Sequence, residues 1–251
     1  MLFRSAVEAG YRLIDTAQYY DNEAAVGAAV KNCGVAREEL FVTTKVWFRS
    51  FETEDCRASL DGSLRKLGMD YLDLVLLHWP FGNVYAAWRV LEEYYAAGKI
   101  RAIGVSNMDP DRLIDLISFN KVRPAVNQIE AHLYCQRKTE RQWLAKYGVA
   151  PQAYSPFGQG RANQMFEEPI VRTIAAAHGK TTGQILLRFL VQSGISVIPK
   201  SVHPDRIQAN IRIFDFALSD NEMKRLGSLD TGKALIGNPE SPEKVETAMT
   251  W

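Results

Sequence analysis

Four side chains have the types and spacing for proton chemistry at an oxygen: Asp15, Tyr20, Lys45 and His78. A carboxylate beside a lysine keeps the ammonium charged. A charged ammonium near a phenol favours the phenolate. A nearby imidazole can hold a substrate oxygen. Together they make a tunable general acid aimed at a carbonyl oxygen, the group that a hydride acceptor needs. Taken singly, each has a structural explanation. Asp15 can cap a turn, and Lys45 can be a solvated rim charge. His78 can be a hydrogen-bonded core histidine. Tyr20 can be a packing aromatic, as its neighbour Tyr19 can be. The chemical reading rests on the set.

The set needs a scaffold that brings distant positions together. Seven short, apolar, β-branched segments read as strands: 11–17, 40–46, 71–79, 100–107, 125–132, 149–157 and 195–201. Near-continuous apolar runs imply burial on both faces, the signature of a parallel sheet. Helix-period segments lie between them. One runs from Glu23 to Val30, and one starts at Thr53 and ends at Gly68. One starts at Asp109 or Pro110, and one is capped by Thr181 or Thr182. The interval from Phe157 to Ile195 carries two helical stretches instead of one. This alternation is one strand short of an eight-fold barrel. No linker, low-complexity tract or charge block divides the chain, which reads as a single domain over 1–251.

In such a barrel the C-terminal strand ends open on one face. Asp15, Lys45 and His78 lie at the ends of the first three segments. Ser106 and Asn107 end the fourth, and Gln128 sits in the fifth. Tyr154 and Ser155 lie in the sixth, and Lys200 and Ser201 end the seventh. Trp47 and Trp79 follow Lys45 and His78. They are either the wall of a substrate pocket or large core aromatics.

Composition narrows the class. The 251 residues are 47% hydrophobic and 24% charged, which is ordinary globular usage. A net charge of +1 gives no footprint for nucleic acid or an acidic membrane. The longest strongly apolar run, 74–77, is far too short to cross a bilayer. Cys33, Cys56 and Cys135 are widely spaced and odd in number, consistent with a reduced, cytoplasmic protein. The four histidines, at 78, 132, 178 and 203, have no metal-ligand spacing, and no G-x-S-x-G elbow is present. Near-neutral charge without an apolar surface stripe suggests a monomer.

Four separated motifs resemble those of the aldo-keto reductase superfamily. They are GYRLIDTAQYYDNEAAVG (10–27), LRKLGMDYLDLVLLHWP (64–80), AIGVSN (102–107) and IPKSVHPDRIQANIRIFDF (198–216). LDTGK (229–233) looks like the microbial branch with 2,5-diketogluconic acid reductases and prostaglandin F synthase-like enzymes. The resemblance implies an α/β fold, a (β/α)8 TIM barrel, binding NADPH without a Rossmann motif. The nearest glycine string, GQGRAN (158–163), indeed lacks the last glycine. Members of that family begin some tens of residues earlier, so the barrel is expected to lack its N-terminal hairpin and first strand.

By motif position, the resemblance assigns catalysis to Asp15, Tyr20, Lys45 and His78. It assigns the nicotinamide carboxamide to Ser106, Asn107 and Gln128, and stacking on the nicotinamide ring to Tyr154. Ser155 begins the stretch along the pyrophosphate. Lys200, Ser201 and Arg206 fall around the adenosine 2′-phosphate, Asn210 at the adenine, and Ala209 where many members carry a glutamate. Trp47 and Trp79 line the substrate pocket. The implied activity is reduction of small-molecule aldehydes and ketones. The alternative is an NADPH-binding sensor or regulatory barrel with impaired catalysis. The segment from 237 to Trp251 either folds over the mouth or lies loose.

Overall fold

The computed structural model describes residues 2–236 and 241–251. Seven strands form one sheet in chain order: β1 (Leu13–Asp15), β2 (Phe41–Val46), β3 (Leu74–Leu77), β4 (Ile103–Ser106), β5 (Val126–Glu130), β6 (Ala150–Tyr154) and β7 (Ser196–Val197). All six neighbouring pairs are parallel. Parallel neighbours require long crossovers, and helices supply them.

Helix α1 (Leu2–Glu8) precedes β1. The next five crossovers use α2 (Glu23–Lys31), α3 (Thr53–Leu67), α4 (Val84–Ala96), α5 (Pro110–Ser118) and α6 (Lys138–Tyr147). Between β6 and β7 lie three helices rather than the expected two: α7 (Ala162–Phe166), α8 (Pro169–His178) and α9 (Thr182–Gln192). The extra one has five residues, too few to show a helical period. After β7 come α10 (Pro204–Ile211), α11 (Asp220–Gly227) and α12 (Pro242–Ala248).

The sheet is curled. Strands β1 and β5 are four positions apart, which in a flat sheet would be roughly 19 Å. Gln128 Nε2 on β5 nonetheless donates to Asp15 Oδ2 on β1 at 2.8 Å. This is the (β/α)8 architecture short of one strand: among the described residues β1 and β7 are its two edges and do not pair. The outer side of that seam is bridged by α1 and α10, where the Tyr11 hydroxyl donates to Ile207 O at 3.3 Å.

Burial explains the strands. Leu74–Leu77 is buried at every position, so both faces are covered. One face packs on α3 and α4 through Leu60, Leu67, Trp88 and Leu91. A second core under β6 and β7 takes Ile174 from α8 and Ile185 and Phe189 from α9. Below the barrel, buried Asp73 accepts from Val42 N at 2.9 Å and pairs with Arg37 at 2.7 Å and Arg101 at 3.1 Å. That carboxylate pins the lower ends of β2 to β4, leaving the upper ends for polar groups.

Close packing of α2 on α3 depends on Gly27. A Cβ there would lie 2.3 Å from the Leu67 carbonyl oxygen. Gly62, inside α3, would meet only the far end of Arg65 at 3.9 Å. We therefore expect Gly27→Ala to destabilise the fold by about 1–3 kcal/mol through overpacking. Gly62→Ala should stabilise it by about 0.5–1 kcal/mol. Urea midpoints at unchanged slope give both signs; a neutral Gly27→Ala would show that the two helices separate freely.

Candidate active site

Asp15 is the last residue of β1, Lys45 the penultimate residue of β2, and His78 directly follows β3. Lys45 is fully buried. A buried ammonium is costly unless oxygens surround it. Its Nζ pairs with Asp15 Oδ1, donates to Thr16 O at 3.0 Å, and reaches the Tyr20 hydroxyl at 3.5 Å. All three of its N–H groups therefore have acceptors.

Tyr20 ends a short 3-10 turn, Gln18–Tyr20. Gln18 fixes that turn. Its Nε2 donates to Ser63 Oγ at 3.0 Å and Ser59 O at 3.2 Å, and its Oε1 accepts from Trp47 N at 3.0 Å. Asp21, with φ +48°, then reverses the chain into α2. The Tyr20 ring is left about half exposed above Lys45.

The His78 ring lies 5.7 Å from that of Tyr20, edge-on, and 5.3 Å from that of Trp47. Its Nδ1 is buried without a protein partner. Burial first, and the Lys45 charge second, push its pKa down to about 3. The imidazole is neutral at neutral pH and binds an oxygen by hydrogen bonding rather than by charge.

A second polar group flanks the first. Ser106 Oγ donates to Gln128 O at 2.8 Å. Gln128 Nε2 donates to Gln152 Oε1 at 2.7 Å as well as to Asp15. Asn107 has φ +58° and Ser155 φ +50°, so both turn off their strands in the left-handed region. The Tyr154 hydroxyl donates to Asn107 Oδ1 at 2.7 Å. Burial holds the Tyr154 phenol well above its ordinary range. Its proton is therefore committed, whereas the Tyr20 hydroxyl faces an ammonium and the open cavity.

These groups border one cavity of about 960 Å³, at the upper end for small-molecule sites. It runs from Tyr20, His78 and Trp47 to Lys200, Ser201 and Asn210. Thirteen of the fifteen residues named from sequence line it; Lys45 lies just beneath Tyr20. Arg206 departs from the expected cluster: it is exposed on the first turn of α10, outside the lining. Both tryptophans border the cavity and also pack as core aromatics. Trp47 stacks on Tyr19 at 4.2 Å and Trp79 on Phe81 at 5.5 Å. Trp251 lies against both, at 6.0 and 5.4 Å, so the last residues fold over the mouth; positions 237–240 fall outside the described residues. Sequence reasoning missed Gln18, Gln152 and Lys244. Only Gln18 carried a signal, lying in the loop that presents Tyr20.

A model described as the Aldo/keto reductase family matches residues 2–231. The chain is 43% identical over 248 residues to a morphine 6-dehydrogenase of Pseudomonas putida, covering 94% of this chain and 84% of that protein. It is 42% identical over 238 residues to a glyoxal reductase of Bacillus subtilis (strain 168), covering 94% and 85%. Among solved structures, a Bombyx mori aldo-keto reductase in complex with NADP has a TM-score of 0.89 at 35% identity, covering 94% and 84%.

The depressed His78 pKa has a consequence for stability. Between its ordinary value of 6.5 and about 3, the unfolded chain binds a proton that the folded chain refuses. Stability from this group is complete above pH 6.5 and is lost as pH falls toward 3, by at most about 1.4 kcal/mol per pH unit. His78→Gln should flatten the fall in urea midpoint between pH 7 and pH 4. Parallel falls in both proteins would show that His78 is not buried neutral.

Proposed function

Because the chain belongs to the aldo/keto reductase family of oxidoreductases, we propose that it reduces aldehydes and ketones to alcohols with NADPH, using Tyr20 as general acid. The observation that carries this reading is the buried Lys45 ammonium, set between the Asp15 carboxylate and the Tyr20 hydroxyl. The residues present fit the cofactor. Ser106, Asn107 and Gln128 put side-chain amides and a hydroxyl where a carboxamide could bind, beside the flat ring of Tyr154. At the far end Lys200 and Ser201 offer a cation and a hydroxyl suited to a 2′-phosphate dianion; Arg206, exposed on α10 outside the lining, is the second cation of this reading. Ser155 would follow the pyrophosphate and Asn210 the adenine, with Ala209 contributing no polar contact.

Bound NADPH supplies a hydride to the carbonyl carbon. Tyr20 gives its phenolic proton to the carbonyl oxygen as alkoxide character develops. Lys45, held by Asp15, stabilises the phenolate left behind. Neutral His78 orients the carbonyl by a ring N–H hydrogen bond. Trp47 and Trp79 form an apolar wall that suits aromatic or short aliphatic carbonyls and keeps water out. In the reverse direction Tyr20 is the base. The intact polar cluster favours catalysis over a binding-only sensor or regulatory barrel. The same reading takes the chain as one domain acting as a cytoplasmic monomer on small molecules. Cys33, Cys56 and Cys135 are free, and among the described residues no helix is long and apolar enough to span a membrane.

Tyr20→Phe should bind NADPH with an affinity within about threefold of the parent, since Tyr20 contributes a proton rather than a cofactor anchor. Its kcat for 4-nitrobenzaldehyde or methylglyoxal should fall by about 10²–10⁴-fold. Nicotinamide fluorescence titration and steady-state turnover separate the two effects. Unchanged kcat in this variant would remove Tyr20 from the mechanism.

A further inference from the structure

Among the described residues, the charges lining the cavity do not balance. Among its described lining residues the one acid is Asp15, and its two oxygens are engaged by Lys45 and Gln128. Two lysines line the cavity, Lys200 at one end and Lys244 at the other. On the carbonyl-reductase reading above, Lys200 answers to the cofactor phosphate. Lys244 has no such account.

Lys244 lies on α12, whose first turn is capped by Ser241. Its Nζ sits over two indole rings, 5.0 Å from the centre of Trp79 and 4.6 Å from that of Trp251. Its hydrogen bond goes to the Ile236 carbonyl oxygen at 3.3 Å. Among the described residues no carboxylate lies within ion-pair distance of it. Glu130 attracts it from a distance, but accepts from Leu235 N at 2.6 Å and Ile236 N at 3.1 Å and pairs with His132 at 3.0 Å. Partial burial pushes the Lys244 pKa below the usual lysine value. A partly buried cation with no carboxylate paired to it among the described residues gains from an anion that binds beside it.

Its position is fixed rather than incidental. Arg49 donates from Nε to Trp251 O at 2.8 Å and from Nη2 to Met249 O at 2.7 Å, and Ala248 is fully buried. These contacts hold α12 against the mouth. Between Lys244 and the Tyr20–His78 pair stands the wall of Trp251, Trp79 and Trp47. A ligand spanning that distance would put an oxygen at His78, an apolar spacer along the indoles and an anion at Lys244.

We infer that Lys244 anchors a substrate carboxylate, so that this site selects oxo-acids: aldehydes or ketones whose carboxylate is separated from the carbonyl by an apolar or aromatic spacer. The matched pair 4-carboxybenzaldehyde and its methyl ester isolates the charge. The ratio of kcat/KM for the acid over the ester should fall about tenfold in Lys244→Met, mainly through KM. It should be retained in Lys244→Arg, and in the parent it should shrink as salt is raised. A ratio that is the same in Lys244→Met as in the parent, with both aldehydes reduced, overturns the inference and leaves the reductase reading standing. Absence of turnover with either aldehyde overturns the reductase reading instead. The anion site is then read by quenching of indole fluorescence with terephthalate. Its affinity should weaken about tenfold in Lys244→Met, and an unchanged affinity again overturns the assignment.

Discussion

A lysine ammonium buried at the end of a strand must be surrounded by oxygens, and in this fold that requirement organises the upper face of the barrel. Lys45 draws one carboxylate oxygen from β1, a backbone carbonyl from the residue after it, and a phenol from the turn beyond. The segment 16–22 therefore has to fold back on itself, and Gln18 anchors the return against α3. The second oxygen of Asp15 is taken by Gln128, from the far side of the interior. One ion pair thus sets both where Tyr20 lies and how tightly the sheet curls.

The same cation shapes its neighbours. It adds to burial in keeping His78 uncharged, so the imidazole next to an ammonium does not compete with it for the role of cation. Tyr154, another of the four tyrosines bordering the cavity, is half-buried and donates to Asn107. Two tyrosines of one cavity thus stand in opposite environments, one committed to a protein acceptor and one open to a ligand. That contrast follows from the surroundings, not from residue type.

Much of this was legible in the residues. All seven strands were, because a chain buried on both faces reads as an apolar run, as Leu74–Leu77 does. Their expected spans were too long. Residues past a strand end stay extended without full pairing; Ile198 N, for example, still donates to Ala153 O at 3.1 Å beyond β7. The convergence of Asp15, Lys45 and His78 followed from their places at strand ends. Arg206 was legible near the start of α10, but not whether it lies inside or outside the cavity lining, because that depends on how the helix packs. Gln18 and Lys244 act through partners far away in sequence, Ser63 for one and Trp79 for the other. No local pattern encodes such contacts.

The two borders of the sheet are its shortest members, three residues in β1 and two in β7. A border strand displays unsatisfied amides and carbonyls that another molecule can extend into a shared ladder. Here that template is only a few residues long, and neighbouring helices overhang it. The open side of the molecule therefore offers little purchase for self-association into fibrils, although it breaks the ring.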